Sequence, residues 1–379
     1  MWLLRWLPSV LLLLPWLVAP MQPSGAARIR DLASPTSFRL LDWETLHLAQ
    51  DGGALLHGLT HAPDAPPSDA DLLRAYFAPG ADRGTLRPQA ETALQDEVAQ
   101  AYLDGGLESQ QPLPTPGLFP PVLVSLTPPP NVLVISPRSA IRVDSSAVLQ
   151  AMDPAAQERL EASADSTGVS SLVAPIGGIA TYPSMVLEDD SAERVLGSVA
   201  HEWLHQYLIF YPLGAGYWSS QETREINETT AEMIGSEVGA GVALRLGLGI
   251  PGAPQASPPS SRRQAFDFTA FMRETRGHTD ELLAVGRVDE AEAYMRARRD
   301  ELQQHGYPIR KLNQAYFALY GSYGNGFAAS PSNPIPDLLR SLRSNSSSLG
   351  DFVVRVRGIT TVDQLRDAAA RASQTALPA

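Results

Sequence analysis

Apolar positions along the chain recur at two different spacings, and the switch between them divides it. Over 36–50, 68–77 and 88–104 they return every three or four residues with acids between them, which predicts helices. The first two are joined across the Pro-rich stretch 62–67. A Pro-, Gly- and Gln-rich segment, 105–120, then marks a boundary. Beyond it, 121–126 and 131–136 become period-two apolar runs, which predicts two strands connected through the Pro128-Pro129-Pro130 turn. Asp153-Pro154 opens a helix over 153–166. Residues 169–186 form a third apolar stretch containing Gly177-Gly178. Pro183 has no N–H for a central ladder, so the strand at 179–186 is expected at a sheet edge.

From Asp190 onward the helical period returns. Residues 191–210 and 220–246 read as two helices separated by a turn at 212–216. Residues 251–263 are a low-complexity loop, 266–304 a charge-laced helix pair broken near Gly286, and 308–320 a more apolar helix. No repeat at solenoid or propeller periods is visible. The pattern predicts an α+β, mainly helical fold with a small mixed sheet and a helical C-terminal subdomain. Its divisions are 1–27 as signal peptide or membrane anchor, 28–118 as an N-terminal helical region and 119–250 as a core. A linker at 251–265 and the C-terminal subdomain at 266–379 complete it.

The chain start carries an address. Arg5 gives a short basic opening, and Trp6 to Ala19 form an apolar stretch interrupted by Pro8 and Pro15. A membrane-spanning helix needs roughly 20 apolar residues, so the segment suits an export signal better than a permanent anchor. Ser24-Gly25-Ala26 supply small residues at a cleavage-like spacing. The protein is therefore expected outside the cytoplasm, secreted or held to the membrane through residues 1–21.

Composition narrows the chemistry. Of 379 residues, 44% are hydrophobic and 18% charged, the balance of a folded chain. Forty-one acidic against 29 basic residues give a net charge of −12, which argues against nucleic acid as a partner. There is no cysteine, so disulfides, thiolate catalysis, iron–sulfur clusters and sulfur-held zinc are excluded. Any metal must be held by His, Asp, Glu or backbone oxygen. Lys311 is the only lysine, which weakens any reading that needs a catalytic one.

Against that background one segment stands out: Ser198-Val199-Ala200-His201-Glu202-Trp203-Leu204-His205-Gln206-Tyr207. His201 and His205 are four apart, so on a helix both imidazoles leave one face and can share a metal. Glu202 is rotated about 100° from His201, where it can reach a metal-bound water without being a ligand. Two satisfied histidines on an ordinary helix are the plain alternative. With seven histidines in the chain, however, a chance His-Glu-x-x-His arises in roughly one such sequence per hundred. A catalytic zinc usually takes a third protein ligand. Downstream lies Asn227-Glu228-Thr229-Thr230-Ala231-Glu232. Glu228 follows His205 by 23 residues, room for a turn and a returning helix, with Glu232 or Glu225 as the other candidates.

These two elements together resemble the gluzincin metallopeptidases. In thermolysin-like members the third ligand lies in an Asn-Glu-x-x-Ser-Asp element, which 227–232 resembles with Ala and Glu in its last two places. The resemblance covers about residues 180–240. It implies Glu228 as zinc ligand and Glu232 as an acid that holds a ligating histidine. It further implies that the small sheet packs on the active-site helix, and that the edge strand at 179–186 pairs with extended peptide substrate. Gly235, Gly239 and Gly241 are expected to let the Glu228 helix approach another closely.

The implied chemistry is zinc-dependent hydrolysis of peptide bonds, with Glu202 as general base on a zinc-bound water. A peptide or protein would be the substrate. Related enzymes stabilise the oxyanion with a Tyr or His from the C-terminal part, which here offers Tyr316, Tyr320, Tyr323 or His278. The alternatives are a zinc hydrolase acting on a non-peptide amide, and a non-catalytic exported surface protein with a structural or vestigial metal site.

Overall fold

The computed structural model describes residues 33–379 apart from 51, 54, 55, 57, 58, 60–66, 108–110, 114, 116, 190, 249–265, 323–325 and 376–379. The segment expected to direct export, the 251–265 stretch expected as a linker, and Tyr323 lie outside the described residues. Among the described residues, no helix is long and apolar enough to cross a membrane.

Short polar side chains set where many helices begin. Asp82, Asp153, Ser191, Ser220, Asp267, Asn313 and Ser348 each accept a backbone N–H from the first turn that follows. They start α3 (Arg83–Tyr102), α4 (Pro154–Asp165), α5 (Ala192–Leu208), α7 (Gln221–Leu246), α8 (Phe268–Ala284), α10 (Gln314–Tyr320) and α12 (Leu349–Val356). The others are α1 (Leu40–Gln50), α2 (Pro67–Phe77), the one-turn α6 (Pro212–Ala215), α9 (Val288–Gln304), α11 (Ile335–Ser344) and α13 (Val362–Thr375). The cap at Asp82 starts α3 five residues ahead of the expected position and leaves Pro88 inside it. α7 ends at Gly247 with φ +66°, where the Leu248 N–H reaches the Ala243 carbonyl and the Gly247 N–H reaches that of Leu244. This Schellman closure satisfies carbonyls that the helix end would otherwise strand.

The strands form two small sheets. One is mixed and runs β1 (Val124–Leu126), β6 (Ser184–Val186), β5 (Gly178–Ile179), with β1 parallel and β5 antiparallel to the central β6. The other is antiparallel, with β2 (Asn131–Pro137) between β3 (Ser145–Leu149) and β4 (Val169–Pro175). One pairing lay outside what the period-two pattern could say, and one expectation changes. The runs at 121–126 and 131–136 do not pair with each other, since β1 and β2 belong to different sheets. The stretch 179–186 is not a single edge strand: only Gly178–Ile179 is the edge, and β6 is central. Pro183 stands just before β6, so its missing N–H falls outside the ladder, and Ser184 N–H joins β1 through the Leu123 carbonyl.

Period-two alternation gives β2 two faces. Leu133 and Ile135 pack under α4, while Val132 and Val134 face the opposite way, toward Phe271, Met295 and Phe317 of the C-terminal part. A larger core runs through Leu94, Val98 and Tyr102 of α3, the apolar face of α5, and Ile234 and Val238 of α7. It also takes in Leu339 of α11, Phe352 of α12 and Leu365 of α13. α5 is fixed on several sides. Trp203 donates to the Pro120 carbonyl, Tyr102 donates to the Ala200 carbonyl, and Gln206 donates to Thr181 O and Ser184 Oγ.

The contact that matters most for position is backbone on backbone. A Cβ at Gly239 would stand 2.5 Å from the Glu193 carbonyl oxygen and 2.7 Å from the Gly197 nitrogen. One at Gly235 would stand 2.7 Å from the Gly197 oxygen and 3.1 Å from the His201 Cβ. Gly197 on α5 therefore seats directly between Gly235 and Gly239 on α7. Gly241, expected to share this role, meets nothing within 4 Å and is exposed. Gly239→Ala should lower stability by about 1–3 kcal/mol, because backbone cannot move aside as a flexible side chain does. Gly241→Ala should be neutral or stabilising by up to about 1 kcal/mol. Thermal unfolding of the two variants reads the contrast directly.

The N-terminal segment attaches through a buried acid. Ser37 bridges Leu149 at the outer edge of β3, and Phe38 N–H reaches the Val148 carbonyl. Glu44 on α1, 1% exposed, accepts the Tyr182 N–H at 3.0 Å through Oε1, while its Oε2 meets no donor. Burial pushes Glu44 from the ordinary 4.5 up to about 7, and the Tyr182 bond opposes this only in part. Because the folded value is raised, the contribution of Glu44 to stability is complete below pH 4.5 and is lost as pH climbs to about 7. The melting temperature of Glu44→Gln should lack this component of the wild-type decline between those pH values.

Candidate metal centre

α5 carries His201 and His205 one turn apart, and the glycine contact holds α7 close enough to deliver Glu228. The two Nε2 atoms are 3.0 Å apart, and each is 3.6 Å from Glu228 Oε2. Two ligands bonded at 2.0–2.1 Å on a tetrahedral ion would stand about 3.3 Å apart, so these separations bracket the spacing a metal needs. Glu228 Oε2 is buried and accepts no hydrogen bond. An acceptor left bare between two imidazoles fits a cation there. The three residues form a group that could hold a metal ion.

The surrounding groups orient these three. Tyr217 donates a short hydrogen bond to Glu228 Oε1, the oxygen turned away from the imidazoles, and its ring meets His205 edge-on at 6.1 Å. Glu232 Oε2 lies 3.8 Å from His201 Nδ1, within ion-pair range but beyond a hydrogen bond, and its side chain is half-exposed. Glu225, the other candidate ligand, is turned elsewhere: it accepts from Gln221 and from Asn333. Glu202 is 7% exposed, and its carboxyl group lies against the α-carbon of Gly178 on β5, where any Cβ would collide with Oε1. Gly178 is thus what admits the acid to its place.

Electrostatics follow from burying two acids, Glu202 and Glu228, beside two imidazoles, with the half-exposed Glu232 at the edge. Burial opposes a charge on His201, but the Glu228 carboxylate beside it and the charges of Glu202 and Glu232 raise it to about 9. Burial would raise Glu228, yet the two imidazoles facing it, His205 foremost, hold it well below the usual carboxylate range. Glu202 is raised by burial and by the like charge of Glu228, with the two histidines pulling the other way. A carboxylate whose proton affinity is raised in this manner suits proton transfer near neutral pH.

The cluster opens into a cavity of about 220 Å³. Val132, Val134 and Val148 of the antiparallel sheet form an apolar wall, and the β5 edge at Gly178–Ile179 forms another side. Tyr217, Trp218 and Arg224 close the cavity from the loop before α7 and from its first turns. Tyr316, Tyr320 and His278 do not line it. Tyr316 and Tyr320 pack against each other beside the C-terminal core, and His278 is paired with Glu281. Tyr217 and Arg224 were missed from sequence. Their only signal was position, in the short segment between the histidine helix and Glu228. Comparison with models of known protein families, with curated proteins and with solved structures finds no match for the chain.

A bound metal must displace the proton on His201, so affinity should climb as pH rises toward 9 and level off above it. Removing the Tyr217 hydroxyl with Tyr217→Phe should weaken binding about 10- to 100-fold, the range for partners of metal ligands. His205→Ala should abolish stoichiometric binding. Metal titration followed by calorimetry across pH 6–10 measures all three.

Proposed function

We propose that the chain is a zinc-dependent peptidase with gluzincin-like geometry. The observation that carries this reading is the placing of Glu202, a buried acid with raised proton affinity, beside a two-histidine, one-carboxylate group at the mouth of an apolar cavity. Two imidazole nitrogens and one carboxylate oxygen are the donor set of catalytic zinc, which leaves a fourth position for water or substrate. Zinc, when bound, supplies a Lewis acid that acidifies water and polarises a carbonyl. His201, His205 and Glu228 would hold it, with Tyr217 and Glu232 steadying Glu228 and His201.

In this reading Glu202 takes the proton of the attacking water and returns it to the leaving nitrogen. The free side of β5 lets an extended substrate add main-chain hydrogen bonds over Gly178–Ile179, across the cavity from α7. The valine wall excludes water from the reacting centre and accepts an apolar side chain. A purely structural metal site has no use for an acid held at this position.

Glu202→Gln should keep full metal stoichiometry while lowering hydrolysis of a peptide library by about 10²–10⁴-fold, the contribution of a positioned general base. Gly178→Ala is the subtler probe. The clashing atoms are the far end of a flexible side chain, so fold and metal should survive while the carboxyl group of Glu202 moves and turnover falls. Metal-loaded wild type that cleaves no member of the library, beside an active control peptidase, would sink the reading.

A further inference from the structure

Arg224 is placed where stability alone would not put it. It sits in the first turns of α7, the positive end of the helix dipole, and is only 7% exposed. No carboxylate lies within ion-pair distance of it among the described residues. Glu225, next in the chain, feels the charge of Arg224 but gives its oxygens to Gln221 and Asn333 and forms no ion pair with it. Of the five N–H groups on a guanidinium, Nε is buried with no acceptor. The bonds from Nη1 to the Val143 carbonyl and Gln221 Oε1 are long, at 3.4 and 3.3 Å. The guanidinium lies over Trp218, 4.8 Å from the ring centroid, and 5.6 Å from that of Tyr217. Aromatic faces hold a cation in place without neutralising it.

Arg224 also lines the metal cavity, and among the described lining residues it is the one Arg or Lys. It precedes Glu228 by four residues, so both face one side of α7 about 6 Å apart along the axis. A peptide spans at most about 3.3–3.6 Å per residue. A group one or two residues from a carbonyl at the metal therefore falls within reach of the guanidinium. We propose that Arg224 binds a carboxylate of the substrate, so that the protein acts on peptides carrying a free carboxylate within one or two residues of the scissile bond. This rests on the peptidase reading for the reaction, but the binding itself is separate chemistry. The planar fork of arginine matches a carboxylate with two parallel hydrogen bonds, and the valines of the antiparallel sheet that line the same cavity add no second arginine or lysine. The carboxylate comes either from the peptide C-terminus or from an Asp or Glu side chain.

The test is calorimetry on the full-length, zinc-loaded Glu202→Gln protein. Four ligands are compared: an N-acetylated dipeptide with a free C-terminus, its C-terminal amide, and amide-terminated peptides differing by Glu against Gln. At least one carboxylate ligand should bind about 10- to 100-fold tighter than its neutral partner, the worth of a charge-assisted hydrogen bond. Preference in the first pair marks a terminal carboxylate, and preference in the second marks a side chain. Adding Arg224→Gln should erase the preference, and Arg224→Lys, which keeps the charge but not the fork, should reduce it. Metal content and circular dichroism confirm that each variant is intact. Equal affinities within both pairs, or no carboxylate binding at all, overturn the proposal. So does a preference that survives in Arg224→Gln, because the metal would then be its source, or one left undiminished in Arg224→Lys, because the arginine fork would then play no part. Failure of the peptidase reading looks different: wild type would cleave none of the four while the carboxylate preference in binding persisted.

Discussion

Everything at this site depends on two helix backbones touching. Gly197 on α5 fits between Gly235 and Gly239 on α7 with no side chain intervening, and Gly235 also abuts His201 itself. Two of the metal-ligating candidates ride on one helix and the third on the other. Their separation is therefore set by the inter-helix distance, and that distance is set by the absence of three Cβ atoms. Side chains of ordinary size at the crossing would hold the axes apart at the usual 8–10 Å and place Glu228 out of range. The rest of α5 is then pinned by Trp203, Gln206 and the hydroxyl of Tyr102, so the histidine face cannot rotate away.

Burial on this scale has an electrostatic consequence. Two buried acids and two imidazoles share a small volume, with Glu232 at its edge. Two of the buried atoms left without partners carry opposite signs: Glu228 Oε2 on one turn of α7, and Arg224 Nε on the turn before. One is a bare acceptor facing two nitrogen ligands, and the other belongs to a cation facing aromatic rings. A cavity that leaves one acceptor and one donor unsatisfied, a helical turn apart, is suited to a cation and an anion held side by side.

Local chemistry made much of this legible from sequence, and long-range pairing did not. The His201–His205 spacing and the return of Glu228 could be read because helix geometry fixes which residues share a face. The Asp153-Pro154 start was visible for the same kind of local reason, while the caps at Ser191 and Ser220 appear only in the structure. The two sheets were not visible, because the apolar runs at 121–126 and 131–136 look alike and nothing local says that they pair with different partners. The same limit applies to Tyr217 and Arg224, whose types are common and whose roles come only from the fold around them. Tyr316 and Tyr320 show the converse. Their residue type suggested chemistry, and their burial beside the C-terminal core removes them from the cavity. α11, α12 and α13 join α5 and α7 in the large core, and no motif within them points to the site.

The glycine seat also bears on when the site comes into being. Small zinc modules fold only as the ion arrives, because nothing else holds their ligands together. Here the ligand spacing is fixed by helix packing inside a large apolar core, so the cradle exists before any ion enters it. Occupancy then becomes a property separate from folding. Losing a ligand by mutation would leave a sound shell with an idle pocket, and such a shell could be kept by evolution for some other purpose.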